Sequence, residues 1–515
     1  MYYGLLPPHF LRNMITFLAG IAILILGYFI WGKVAEKIFA PDDRLTPALA
    51  HPDRVERVPL SKKRNMLLQL LNIAGMGPIV GVALGMKFGA IVFLLLPIGN
   101  VIGGAVHDYY IGMISARNNG ADVPILMEKF FGRRVSGLFL VLAAVCLVLV
   151  VTTFTNIPAQ FIQTLIPLGS WVFVAAVIGI FLYYILSTLY PIDKIIGRMY
   201  PFIGGLLILI TAAVCVACIP YAGLIPDIIL TPEGITAAFT SHPDGQPLIP
   251  MLFITIACGI LSGFHATQSP IVSRTMQSEK DGRKIFYGMM IAEGIIAMIW
   301  AAVTSILFAL EPEMLASSNG NLIISTAVGV VLPAALASLS LVVFIFISVT
   351  SGDTALRVLR TSAADYLKID QTPAKLRILV LFPLVLLICG LLIWSNLSPT
   401  GYAVLWNYFA WFNQLIASCA LLLATAYLAS RAKPYLITAV PGTLILFMCI
   451  SYIVWVSPAH LAGTPLGLGL PLAVSYAVAA VLSVILCAAA VFTGRRLGND
   501  PVFSADAPAM YADES

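Results

Sequence analysis

Five ionisable side chains stand inside stretches of this chain that are otherwise apolar: His107, Asp108, His265, Glu293 and Asp353. A charge at such a place costs on the order of 3 kcal/mol unless paired, so each is a candidate for binding or for carrying a proton. A histidine titrates near neutral pH, and a carboxylate among hydroxyls offers hard oxygens to a cation. His107 and Asp108 end two adjacent stripes, Gly99/Gly103/His107 and Asn100/Gly104/Asp108, which form a close-packing face. Neighbours on a helix point about 100° apart, so at most one of the pair faces a cavity squarely. A pairing of Asp108 with Arg117 is the plainer alternative. Asp353 closes the run Ser348-Val-Thr-Ser-Gly-Asp353. Ser348, Thr350 and Ser351 could join it around Na⁺ or a proton, or Asp353 could simply pair with Arg357 at i, i+4. Glu293 reads as a proton relay.

His265 belongs to the stretch that organises the rest, Cys258–Arg274. An apolar run enters it as a membrane helix would, and then Gly259, Ser262, Gly263, His265, Thr267, Gln268, Ser269 and Pro270 arrive before about 30 Å of hydrocarbon can be crossed. Backbone freed of helical hydrogen bonds at that depth is tolerated only where protein buries it or where it lines a polar cavity. Asn72, Gly75, Gly77, Pro78 and Gly81 interrupt an earlier span in the same way. The two breaks are expected to form a substrate site, with backbone at 72–78 and 263–268 in contact and His265 and Gln268 orienting the ligand. The plainer role for His265 is to satisfy the freed backbone of the earlier break.

The whole chain supports a membrane setting. Of its 515 residues 60% are hydrophobic and only 10% charged, and the mean hydropathy is +0.97. Such a composition excludes a soluble domain. Thirteen apolar segments near spanning length are counted. With the N-terminus outside and thirteen spans, all of the 29 Lys and Arg except Arg12 and Lys87 fall on the inward side. The net charge of +5 is therefore a topology signal rather than a nucleic-acid footprint. The eight cysteines lie in apolar segments, and neither disulfides nor a metal site is expected. Met14–Trp31 lacks a basic leader and a cleavage site, so it reads as an uncleaved helix.

The interrupted segments are the second and the seventh, and the charge-derived topology gives them opposite directions. That is the mark of an inverted-repeat secondary transporter. The expected organisation is an extra helix over 1–32, a solvated, irregular basic loop over 33–64, a first repeat over 65–220, and an extracytoplasmic loop over 221–249 that covers the outer face or merely connects. A second repeat over 250–430, two further helices over 431–497 and a disordered tail over 498–515 complete it. The fold class is an all-α polytopic membrane protein. Asn413 and Gln414 are expected to line or gate the outer wall.

Pro250–Gly263 followed by Phe264-His-Ala-Thr-Gln-Ser-Pro270 resembles the signature of the carbon starvation protein A (CstA) family. Gly75-Met-Gly-Pro-Ile-Val-Gly81, Gly104-Ala-Val-His-Asp-Tyr109, Ser115-Ala-Arg117, Asp353-Thr-Ala-Leu-Arg357 and Asn413-Gln-Leu415 extend the match along the chain. The resemblance implies a bacterial inner-membrane transporter of the amino acid/polyamine/organocation superfamily with a LeuT-like five-plus-five core. It further implies uptake of peptides or of pyruvate under nutrient limitation, with H⁺ or Na⁺ as coupling ion and no cofactor. The expected partners are this small-molecule substrate and the lipid bilayer, and the oligomeric state stays open. A channel or a nutrient sensor is the alternative. An enzyme ranks last: Asp108-Tyr109 and Ser351-Gly352-Asp353 only approximate the settings of an intramembrane aspartyl protease, and His-Glu-x-x-His is absent.

Overall fold

The computed structural model describes residues 14–52, 57–189, 192–370, 373–461, 464 and 466–511. Arg12 and residues 512–515 of the expected tail lie outside them. Every regular element among the described residues is a helix, the form that satisfies its own backbone in hydrocarbon. Among the described residues eleven helices are long and apolar enough to cross a bilayer.

The chain is cut differently from the thirteen expected segments. Residues 66–84 are divided between Lys62–Ile73 and Met76–Gly85. Met76–Ala116 then runs for 41 residues, bent at Gly89, whose φ of +74° leaves the helical path. Residues 250–272 are shared among Leu248–Thr255, Ala257–Ile260 and Gly263–Ser273. The expected span 321–350 is also split, into Gly320–Val331 and Ala334–Leu367. Pro333 explains this, because it lacks an N–H and pushes Leu332 into an extended conformation, φ −105° and ψ 148°.

The segment 33–64 is less irregular than its prolines suggest. Helix continues to Phe39, recurs over Pro47–Ala50 and resumes at Lys62, and some of the described residues between are tied down. The Thr46 hydroxyl donates to Met276 O (2.5 Å) and Leu60 N–H to Thr275 O (2.9 Å). The tail after Gly498 is also ordered where it is described, and charge is the reason. Asp506 is buried, and its carboxylate accepts from Arg431 (2.8 Å) and Tyr427 (2.8 Å). Arg44 (3.4 Å) and Arg117 (3.8 Å) also face it. Arg117 in turn pairs with Glu279 (3.0 Å) rather than with Asp108. Nearby, Arg44 holds the Asp42 carboxyl down at about 2, and burial pushes the Lys433 ammonium down to about 8. This arginine cluster marks one end of the bundle.

At the other end the 221–249 segment packs down rather than hanging free. Asp227 accepts the N–H groups of Ile15 (3.2 Å) and Thr16 (2.7 Å), capping the first helix. Ser241 donates to Phe88 O (2.6 Å), and the His242 ring lies tilted against Phe88, with ring centres 4.5 Å apart.

Candidate functional site

The two broken helices meet at their breaks. Ala74 and Gly75 leave helical geometry in the first, and Leu261 and Ser262 in the second. A Cβ on Gly77 would come within 2.8 Å of Cys258 Sγ, and Gly81 and Gly85 lie as closely against Thr255 and Ile256. Glycine at i, i+4, i+8 thus lets the Met76–Gly85 helix lie directly on the other break. The small-residue stripe of the Asn100–Asp108 region backs the same place. A Cβ on Gly104 would sit 2.1 Å from Ile260 O, and Asn100 Nδ2 donates to Gly259 O (3.1 Å) and Met290 O (3.1 Å).

Between the breaks lies a cavity of about 20 Å³, room for about one water. Among the residues singled out from the sequence, Asn72, Gly75, Gly77, Pro78, His265 and Ser351 line it. Ile73, Phe154, Cys258, Ser262, Phe264 and Phe409 complete the wall. Sequence reading missed Phe154 and Phe409, since an isolated phenylalanine in a membrane helix carries no signal.

Behind His265 the intramembrane charges converge. His265 Nδ1 lies 3.3 Å from Asp108 Oδ2, and its Nε2 lies 3.8 Å from Glu293 Oε1. His107 Nδ1 is 2.8 Å from Asp108 Oδ1, and Gln69 Nε2 donates to Asp108 Oδ2 (3.2 Å). All five side chains are buried. Three separate stretches of chain thus bring two imidazoles and two carboxylates together. Gln69 was overlooked, although Asn65, Gln69 and Asn72 form a polar stripe at i, i+4, i+7 that the sequence displays.

Other expected site residues are engaged elsewhere. Asn413 Oδ1 accepts the Phe264 N–H (2.9 Å), and its Nδ2 donates to Ser262 Oγ (2.9 Å) and reaches Cys258 Sγ (3.3 Å). It therefore satisfies the break of the second helix, and Gln414 does the same by donating to Phe253 O. Gly263 packs against Asn413 O, and Thr267 donates to Phe264 O (2.7 Å). Gln268 is buried, and its amide makes no hydrogen bond within the protein.

The hydroxyl–carboxylate group is dispersed. Ser348 donates to Phe344 O and Thr350 to Phe346 O along their own helix. Asp353 instead receives the Ser187 hydroxyl at 2.6 and 2.7 Å, with Arg357 at 3.7 Å. The i, i+4 pair weighed from the sequence is therefore present.

Residues 12–235, 221–323 and 311–452 match the family described as carbon starvation protein CstA. The chain belongs to the CstA family. A CstA-family chain is thus expected to resemble transporters, and the relatives agree. An uncharacterized membrane protein of Haemophilus influenzae is 41% identical over 334 residues, 56% of this chain and 90% of that protein. The peptide transporter CstA of Campylobacter jejuni is 28% identical over 341 residues, 55% of this chain and 48% of its own length. The pyruvate/proton symporter BtsT of Escherichia coli is 27% identical over 359 residues, covering 58% and 50%. The chain thus spans about half the length of these two named relatives. A crystallised manganese transporter of Eremococcus coleocola superposes with a TM-score of 0.57 at 12% identity, covering 87% of this chain and 99% of that one. At that identity the likeness concerns the fold.

Proposed function

We propose that this CstA-family protein is a proton-coupled symporter that imports a carboxylate-bearing solute, a short peptide or a small carboxylate such as pyruvate. One observation carries the reading: His265 both lines the cavity between the breaks and touches Asp108 and Glu293. A change of protonation in the cluster is thereby felt at the substrate site, which is what coupling requires.

The Met76–Gly85 helix begins at the cavity with no side-chain cap on its first N–H groups. Those donors and the helix dipole favour a carboxylate there. Protons are preferred to Na⁺ because the imidazoles and carboxylates gather behind the cavity, whereas the Asp353 carboxylate is taken up by Ser187 and Arg357. The arrangement is read as a LeuT-like core, with repeats over 65–220 and 250–430 that rock against each other around the breaks. The arginine-cluster end faces the cytoplasm of a bacterial inner membrane by the positive-inside rule, which puts the N-terminus outside and the C-terminus inside. The cavity as it stands admits no solute of this size, so it belongs to an occluded state. Transporter relatives point away from an enzyme.

The test is uptake of labelled dialanine and labelled pyruvate into proteoliposomes under a proton gradient, a sodium gradient or neither, in wild type and His265→Ala. The expected result is accumulation of one solute driven by protons alone and abolished by the substitution. Accumulation that follows sodium would overturn the proton assignment, and passive equilibration without saturation would make the protein a channel.

A further inference from the structure

The end of the bundle opposite the arginine cluster holds a second concavity, of about 510 Å³, within the usual range of small-molecule pockets, about 300–1,000 Å³. Its polar wall is made of carboxamides and hydroxyls, among them Gln160, Gln163, Asn319, Asn321 and Asn396, and none of the described residues that line it is charged. The wall is built rather than incidental. Gln160 Nε2 donates to buried Asn156 Oδ1 (2.9 Å), while Gln160 Oε1 accepts from Asn319 Nδ2 (3.2 Å) and Asn321 Nδ2 (3.0 Å). These bonds join the Arg133–Leu165 helix to the start of the Gly320–Val331 helix and fix which way each amide points. Asn321 is buried beside the Tyr402 hydroxyl, which lies against its amide.

A carboxamide offers donors and an acceptor side by side, which is the pattern of a peptide bond. A bare monocarboxylate finds no cation here, whereas a main-chain amide finds matched partners. The place shares a helix with the central site. Phe154 lines the central cavity and Gln160 this one, on the same helix. Six residues of α-helix rise about 9 Å, close to the reach of three extended residues, about 10 Å. Pro158 lies between them, and its missing N–H leaves Phe154 O without its helical donor.

We infer that this concavity is an entry station that binds the main-chain amides of short peptides before they reach the central site. The inference rests on the transporter reading and narrows its substrate to peptides. The test is calorimetric titration of the full-length protein in nanodiscs with trialanine, with end-capped trialanine and with pyruvate. Both peptides are expected to bind wild type, and Gln160→Leu to weaken each at least fivefold. Asn396→Leu should act in the same direction. Asn396 bonds only within its own helix, to Leu392 O (2.8 Å) and Ser395 Oγ (3.4 Å), so the fold does not depend on it. His265→Ala should leave end-capped trialanine binding intact. Peptide binding that is indifferent to both leucine variants, or is abolished by His265→Ala, would overturn the station. Binding of pyruvate but not of peptide would overturn it too and leave the carrier standing, whereas binding of neither by wild type would remove the substrate reading as well.

Discussion

His265 Nδ1 stands 3.3 Å from Asp108 Oδ2, joining the second broken helix to the glycine-striped helix that backs it. Asp108→Asn keeps the shape and removes the charge. Proton-driven accumulation in proteoliposomes is expected to fall at least tenfold, while exchange of substrate across the membrane, which needs no net proton movement, persists. Equal loss of both would mean that Asp108 only holds the fold.

Asn413 closes the break of the second helix through the Phe264 N–H. Asn413→Ala leaves that buried donor unsatisfied, at a cost of about 1–3 kcal/mol. Thermal unfolding in detergent should show the lower Tm. Asn413→Asp retains an acceptor and should lose less of it.

Gly77 and Cys258 touch where the two breaks meet. Gly77→Ala is expected to destabilise by about 1–3 kcal/mol through overpacking, and adding Cys258→Ala removes the sulfur it strikes. The double variant should recover part of the loss in a double-mutant cycle. Strict additivity would count against the contact.

The tail is held to the bundle by Asp506 among Arg44, Arg117 and Arg431. With Asp506→Ala, the tyrosine and arginine bonds are lost. Limited trypsin digestion should then release the tail after Arg495 or Arg496 several times faster than in wild type. An unchanged rate would show that the backbone contacts at Leu45–Met510 and Arg117–Ala507 suffice.

His242 sits against Phe88, and burial pushes its imidazole from 6.5 to about 4. Between those values the unfolded chain binds more protons than the folded one, so stability decreases as pH falls from about 6.5 towards 4. His242→Gln should flatten the Tm against pH curve across that window without changing it above pH 7.

The amino-acid sequence by itself determined where helices must fail. The glycines, prolines and polar residues of these two stretches mark a failing helix, and the described chain breaks at Gly75 and Ser262, just before Pro78 and before the polar run, which itself continues as the helix Gly263–Ser273. It also displayed the five intramembrane charges and the basic residues that gather at one end. Pro333 was equally visible, but its weight was misjudged, because an apolar stretch of the right length masked a proline near its middle.

Tertiary structure alone decided what those residues meet. Helical periodicity says which side chains share a face, but not which distant helix lies opposite. The meeting of Asp108, His265 and Glu293, and the capping of Phe264 N–H by Asn413, come from contacts between stretches far apart in the chain. Asp506 shows the same limit from the other side. Its tail is polar enough to read as disordered, and what orders it is three arginines brought together from three other parts of the chain.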